Sequence, residues 1–293
     1  MKRDRLSPVG GGETGLRLLL PLIWIIVVLG GALSADWVPL PAPDRMNWNN
    51  PAVFPGSPGH SGISEEAAQV YLLGTDAMGR DIFSRLVFGA RVSLAVGLVA
   101  PLIGMLCGGF LGMTAGFCRG RVEAFIVGAM DTILAFPGLV LLLAVTFYYG
   151  QSLQHLMLTL GFLSVPAFCR VARAQTLCVA EREYVQAARM MGASRLRVMT
   201  MEIFPNIFVS LSIYALLVSA YMIVAEGALS FLGLGIPAPS PSWGSMIAEG
   251  NEVLQEAPHV ALIPAAAMFL TVLSFNLLGD ALRSRYEPKE RQM

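Results

Sequence analysis

The chain has 293 residues, of which 55% are hydrophobic and only 14% charged, and its formal net charge is zero. A soluble domain carries about 25% charged residues, and here the mean hydropathy of +0.63 arises from long apolar blocks rather than from alternating patterns. Such blocks predict an all-α integral membrane protein, because a helix in hydrocarbon satisfies its own backbone; they exclude a disulfide scaffold and a nucleic-acid binder, which would need a basic field.

Six apolar blocks follow one another, at about 16–35, 92–114, 124–148, 155–177, 206–226 and 260–281. Each approaches the roughly 20 residues needed to cross a bilayer. The first follows Lys2, Arg3 and Arg5 and ends at Ala32-Leu33-Ser34, which resembles a signal cleavage site. Its apolar run exceeds the roughly 7–15 residues of a signal core, so it is read as a retained span after a tail of residues 1–15. Residues 36–75 are rich in proline (Pro39, Pro41, Pro43, Pro51, Pro55, Pro58) and predict an irregular loop. From Asp76 to Arg91 the pattern turns helical, with Ile82, Leu86 and Ala90 on one face, so 36–91 is a loop plus a helix leading into the second span. The remaining core, 92–281, contains a loop at 178–205 too long for a tight connector and a second loop at 227–259; residues 282–293 are a tail.

Orientation follows the basic residues. Only Arg45, Arg80, Arg85 and Arg91 fall outside if the N-terminus is inside, so both termini are expected on the cytoplasmic side. The two lysines, Lys2 and Lys289, sit in the tails, and neither offers the Gly-Lys-Ser/Thr of a phosphate-binding loop. Cys107, Cys118, Cys169 and Cys178 form no CxxC and are read as packing residues; His60, His155 and His259 are scattered and suggest no metal site. No half of the chain repeats the other, which weighs against an inverted-repeat secondary transporter.

The 178–205 loop carries the strongest local signal. Residues 181–191 favour helix, and Gly192 is a natural stop. Tyr184, Ala187, Ala188 and Met191 fall at i, i+3, i+4 and i+7, giving a face with a small centre and bulky ends. Such a face suits the cleft of another protein, rimmed by Glu181, Arg182, Glu183 and Arg189; it equally suits a helix lying on anionic lipid.

Gln186-Ala187-Ala188, Gly192 and Pro205 resemble the "EAA" loop of ABC importer permeases. Gly74-Thr75-Asp76-Ala77-Met78-Gly79-Arg80-Asp81, with Ser84-Arg85, Gly89-Ala90-Arg91 and Ser93-Leu94, resembles the segment before the second span of the peptide/nickel-type permeases. The stretch from Leu229 to Gly235, followed by Pro239 and Pro241-Ser242-Trp243-Gly244, is similar to an external loop of the same family, and Asn276 to Arg283 resembles its ending. The resemblance covers roughly 70–288; Gln186 stands where the motif has Glu, Glu202 where it has an apolar residue, and Phe204 where it has Leu.

The resemblance implies a type I ABC importer permease fold: six transmembrane helices and a cytoplasmic coupling helix. It implies the C-type subunit of the dipeptide/oligopeptide group, in a bacterial cytoplasmic (inner) membrane. The partners would be a B-type permease, two ABC ATPase subunits that use ATP and Mg, an external substrate-binding protein and membrane lipid. No cofactor, metal, catalytic residue or nucleic acid belongs to this chain on that reading. The substrate is expected to be a peptide, though nickel, glutathione and metal chelates are carried by similar permeases. Glu183, Tyr184, Gln186, Ala187, Ala188, Met191, Gly192 and Pro205 would couple the chain to the ATPases, with Gly192 and Pro205 bracketing the link to the fifth span and transmitting its movement.

Several charged groups fall within or beside spans. Asp131, about 12 Å into the third span at about 1.5 Å per residue, either lines the substrate path or is a buried partner of Arg170 or Arg173. Pro137 predicts a kink near mid-membrane. Glu226 either touches substrate or binding protein, or caps the turn into Gly227. Asp76, Arg80, Asp81 and Arg85 predict a self-paired external helix, and Trp37, Trp48 and Trp243 predict interfacial anchors. Asp131 and Asp280 differ in expected depth, which disfavours an intramembrane aspartyl protease, and no HExxH or GxSxG occurs. A proton-coupled carrier using Asp131 would differ from an importer in needing no ATP.

Overall fold

A computed structural model describes residues 11–58 and 70–286. The tail with Lys2, Arg3 and Arg5, the stretch 59–69 with His60, and 287–293 with Lys289 and Arg291 lie outside the described residues. The chain forms α1 (Gly11–Ser34), α2 (Ile82–Cys118), α3 (Gly120–Ala135), α4 (Gly138–Tyr149), α5 (Leu153–Ala180), α6 (Glu183–Met190), α7 (Arg195–Phe231), α8 (Trp243–Asn251) and α9 (His259–Tyr286). Among the described residues, four helices are long and apolar enough to cross a membrane, or five if the bent pair α3–α4 is one span; Leu18–Ser34 is a shorter apolar helix.

The apolar blocks lie in these helices, but helix boundaries and hydrocarbon-like composition do not coincide. The helix expected at 76–91 begins only at Ile82, because the Asp81 carboxylate caps the Ser84 amide and Asp76–Gly79 forms a turn. From there α2 runs 37 residues, so the helix expected before residue 92 and the second span are one continuous helix. At the other end of the core, α7 begins at Arg195 rather than 206, so most of the second half of the expected 178–205 loop is helix, and Pro205 lies inside it. A π-helical stretch, Val198–Ile203, ends two residues before this proline; a wider turn relieves the lost i→i−4 bond that a proline imposes. The helix then continues to Phe231, and α8 occupies part of the expected 227–259 loop, started by Ser242 and Ser245 in a reciprocal capping box. The expected tail is helical as far as Tyr286.

Pro137 produces more than a kink. Phe136, preceding the proline, takes an extended conformation, and α3 and α4 diverge by 77°. The expected third span is thus two half-helices.

The central packing is α2 against α5, made possible by a stripe the sequence analysis did not single out: Gly104, Gly108, Gly112 and Gly116, four residues apart. A Cβ at Gly108 would run into the Val165 carbonyl, and one at Gly112 into the Cys169 carbonyl. Close backbone approach through small residues is the ordinary means of helix association in lipid. Gly112→Leu is expected to destabilise the protein by about 1–3 kcal/mol, as overpacking does, lowering the temperature at which the detergent-solubilised protein aggregates. Gly128→Leu, where a Cβ meets nothing within 4 Å, is the matched control and should leave that temperature nearly unchanged.

Around this pair, α1 packs on α2 and α9, while α7 packs on α2 and α9. Trp24 of α1 donates to Thr271 of α9 at 3.0 Å. One buried apolar cluster (Ile25, Ile82, Leu94, Ile223, Trp243, Phe275) joins α1, α2, α7, α8 and α9. A second (Phe168, Val179, Val185, Val198, Ile207) secures α6 to α5 and α7 at the opposite end. Of the four cysteines read as packing residues, only Cys169 is buried; Cys107, Cys118 and Cys178 are exposed in the single chain.

Candidate functional site

Two features stand out on the surface of the single chain: the short arm carrying α6 and a row of ion pairs between α3 and α5. The arm leaves α5 at Ala180, turns through Arg182 in an extended conformation, and forms the eight residues of α6. It ends in a paired C-terminal turn, with the Gly192 amide donating to the Arg189 carbonyl at 3.0 Å and Ala193 to Ala188 at 3.1 Å. Gly192 has φ +83°, the left-handed conformation this ending requires. Ser194 then caps the first turn of α7.

The residues picked from the sequence divide between the two sides of α6. Tyr184, Ala187 and Met191 are exposed, as are Glu183 and Met190, and Met190 and Met191 retain 88% and 82% of their surface. Ala188, expected on the same outward face, instead turns inward beside Val185, which is fully buried. Gln186 also ties the arm down, its amide donating to the Ala180 carbonyl at 3.1 Å. The sequence reading centred its face on Ala187–Ala188 and so missed Val185, although Val185 and Ala188 stand at helical i, i+3 spacing. Gly192 lies between α6 and α7, whereas Pro205 is inside α7, away from that junction. There Pro205 borders a cavity of about 360 Å³ with Gln175, Asn206, Tyr214, Arg283 and Tyr286.

Along the neighbouring side, Arg170 of α5 pairs with Asp131 of α3 at 2.6 Å. One helical turn away, Arg173 donates through Nε (2.7 Å) and Nη2 to the Glu123 carboxylate. The expectation of a partner for Asp131 is met by Arg170, while Arg173 belongs to Glu123. The Asp131–Arg170 pair is not buried as expected, however: the side chains keep 53% and 61% of their surface. Asp131 pairs with a guanidinium here, whereas the carboxylate pair of an aspartyl protease shares a proton between two acids. Beyond it, the α3–α4 break places Phe136 and Pro137 on the surface.

At the end of the molecule that carries α8, two buried polar clusters replace two sequence expectations. Glu226 neither contacts the surface nor caps a turn; it lies within α7 and is fully buried. Its carboxylate accepts from Ser93 of α2 at 3.0 Å and from Ser230 at 2.7 Å, and Ser93 in turn accepts from the Trp243 amide. Trp243 is therefore a core residue rather than an interfacial anchor, its indole donating to the Leu86 carbonyl at 3.0 Å. Trp37 and Trp48 are exposed. Glu226→Ala is expected to cost about 1–3 kcal/mol, because the buried Ser93 and Ser230 hydroxyls lose their acceptor; thermal melts of the purified variant measure it, and Glu226→Gln should recover part of the loss.

The second cluster centres on Asp76. Its carboxylate bonds Arg80 Nε at 2.7 Å and Arg85 Nη1 at 2.6 Å, and both arginines reach on to Glu249 of α8. The self-paired helix expected here is self-paired but is not one helix, and Asp81 caps rather than pairs. Burial pushes the Asp81 carboxyl above the ordinary range, against the lowering effect of its bonds to the Ser84 and Phe83 amides. In the nearby loop Arg91 holds the Asp36 carboxyl below that range through a direct hydrogen bond.

Residues 108–292 match the family described as "Binding-protein-dependent transport system inner membrane component". The chain is 39% identical over 227 residues to the glutathione transport system permease protein GsiD of Pectobacterium atrosepticum, covering 78% of this chain and 75% of that protein. It is 36% identical over 268 residues to the di/tripeptide transport system permease protein DppC of Pseudomonas aeruginosa, covering 92% and 86%. A crystal structure of an amino acid ABC transporter is similar in fold, with a TM-score of 0.51 at 18% identity over 69% of this chain and 94% of that one.

Proposed function

The chain belongs to the binding-protein-dependent transport system inner membrane components, the permease chains of ABC importers, and from that premise we propose that it imports small peptides, glutathione among them. The substrate class rests on relatives whose names carry glutathione and di/tripeptides. On this reading an external binding protein delivers the peptide. A second, related permease completes the path, and two cytoplasmic ATPases bind ATP and Mg. This chain contributes translocation rather than catalysis and binds no cofactor of its own. It crosses the membrane six times: α1, α2, the broken α3–α4, α5, α7 and α9. Both termini and α6 are cytoplasmic.

The observation that carries the reading is the arm: a short helix held from behind by Val185, Ala188 and Gln186, presenting Tyr184, Ala187, Met190 and Met191 outward. A rigidly backed helix with an exposed apolar face needs a partner. We assign that role to an ATPase cleft, with α6 as the coupling helix. ATP-driven closure of the ATPase pair would then shift the permease between inward-open and outward-open packings.

The Asp131–Arg170 pair supports a location for the path. Two exposed charges at membrane depth are costly against lipid and are tolerated against water or protein. We therefore place the face of α3 and α5 that bears them toward the path or the second permease. Asp131→Ala is expected to lower peptide uptake about tenfold, equivalent to about 1.4 kcal/mol in the balance between packings, and the double variant with Arg170→Ala should recover part of it. Uptake of radiolabelled dipeptide into cells measures both; an Asp131→Ala variant that transports normally removes the pair from the path.

The direct test is a mild-detergent pull-down of the tagged chain from its native membrane with quantified companions. Two ATPase polypeptides and one different permease per tagged chain are expected, together with uptake that stops on ATP depletion. Recovery of the chain alone, with uptake indifferent to ATP, overturns the importer assembly.

A further inference from the structure

The ends of α2 and α7 nearest the arm leave a groove that neither the core nor the arm fills. Its part farther from the arm is a cavity of about 340 Å³ walled by Leu106, Phe110 and Met113 on α2 and by Met199, Phe204 and Phe208 on α7. Among the described residues this lining is almost wholly apolar, with Thr200 its one polar side chain. Next to it along the same helices is a second cavity of about 300 Å³ bordered by Phe117, Cys118, Ala193, Val198, Arg189 and Arg195. Phe117 is one turn beyond Met113, and Val198 adjoins Met199, so the second cavity succeeds the first toward the arm. Arg189 is held over the Phe117 ring, 4.6 Å from its centroid. Among the described residues, no carboxylate is in the lining of either cavity.

Both helices depart from α-helical winding at this groove. The π segments Gly104–Gly108 and Val198–Ile203 supply Leu106 and Met199 to its walls. Such segments are rare and gather at functional sites.

The order along the groove is therefore a basic mouth and an apolar interior, the complement of an anionic amphiphile. Intramembrane grooves with basic residues at the cytoplasmic boundary are suited to acidic phospholipid headgroups. We propose that this groove binds one anionic phospholipid, its phosphate at Arg189 and Arg195 and one acyl chain between α2 and α7. Because Arg189 and Arg195 stand on either side of Gly192, the lipid joins the arm to both long helices. A bilayer containing acidic lipid then holds the arm in one position relative to the spans. The inference requires that the chain cross a bilayer but not that α6 dock on an ATPase.

The test uses the intact assembly purified in mild detergent and exchanged into nanodiscs of phosphatidylcholine with or without phosphatidylglycerol. Native mass spectrometry then counts the lipids retained after detergent release. One phosphatidylglycerol per copy of this chain is expected to survive, in preference to phosphatidylcholine. Arg189→Gln and Arg195→Gln should each lower its retention about fivefold, and Thr200→Trp, filling the groove from α7, should displace it without touching either arginine. Equal retention of the two lipids, or retention unchanged in the arginine variants, overturns the proposal. So does a Leu196→Cys variant that crosslinks to the second permease, which would make the groove a protein contact. An intact assembly that retains no lipid at this stoichiometry overturns it while leaving the importer reading untouched.

Discussion

Asp76→Ala is expected to destabilise the protein by about 3–5 kcal/mol, the loss typical of removing one partner from a buried ion pair. The Asp76 carboxylate does four things at once. One oxygen accepts from the Met78 and Arg80 amides, at 2.9 and 3.0 Å, and the other receives Arg80 Nε and Arg85 Nη1. The side chains of Arg80 and Arg85 keep only 6% and 2% of their surface, so neither guanidinium can turn to water when the carboxylate is gone. Among the described residues Glu249 would then be the acid left to both, and its own 38% exposure weakens its hold. The whole α8 end depends on this cluster, because it ties the 76–81 turn and the start of α2 to α8. A loss of this size is a large share of the stability of an ordinary domain. Asp76→Asn keeps an acceptor for the two amides and should fall between the variant and the parent. Replacing Asp76, Arg80 and Arg85 together with apolar residues should cost less than Asp76→Ala alone, since it leaves no buried charge stranded. Thermal aggregation of the solubilised protein ranks the three, and an Asp76→Ala loss below about 1 kcal/mol would show that water reaches the cluster.

The pattern of what could be read from the sequence has a physical basis. The apolar blocks were legible because bilayer thickness imposes a length on them. Helix ends were not, because α2 and α7 continue past their most apolar stretches. The first turns of α7 hold Arg195, Arg197 and Glu202, which hydropathy reads as loop, although Ser194 supplies a cap in the sequence itself. Pro205 reinforced that error, since a proline ordinarily marks a helix start and here follows a π segment instead. Glu226 and Glu249 were misplaced or missed for another reason. Their partners Ser93 and Arg85 lie 133 and 164 positions away, and pairing over that distance leaves no local mark. The glycine stripe on α2 was missed although the sequence carries its signal: small residues at a spacing of four are a mark of close helix packing in lipid. On α6 the outward face expected from the sequence is exposed at Tyr184, Ala187 and Met191, but Ala188 turns inward. An eight-residue helix with alanines on two adjacent faces does not reveal which alanine is buried until Val185 is placed.

Gly192→Val is expected to abolish most ATP-driven uptake while leaving the protein folded and the assembly intact. A Cβ at residue 192 would meet no atom within 4 Å, so the substitution creates no clash with the rest of the fold. Its effect is confined to the backbone: φ of +83° is unfavourable for an L residue by roughly 1–2 kcal/mol, and more for a β-branched one. Valine therefore opposes the turn in which Gly192 and Ala193 close the end of α6, and the angle between α6 and α7 relaxes. If movement of the ATPase pair reaches the spans through this turn, ATP hydrolysis continues while transport stops. Gly192→Asn separates conformation from bulk, since asparagine tolerates the left-handed region, and should retain much of the uptake. Ala187→Trp makes the complementary break. Its bulk lies on the exposed side of α6, so it should release the ATPases from a pull-down by about tenfold or more, as a blocked interface centre does, without altering the melting of the permease itself. The two variants thus fail differently, one by losing its motor and the other by keeping a motor that no longer moves it. Gly192→Val at normal abundance with full uptake would remove the turn from the transmission path, and Ala187→Trp with its ATPases still attached would remove α6 from their interface.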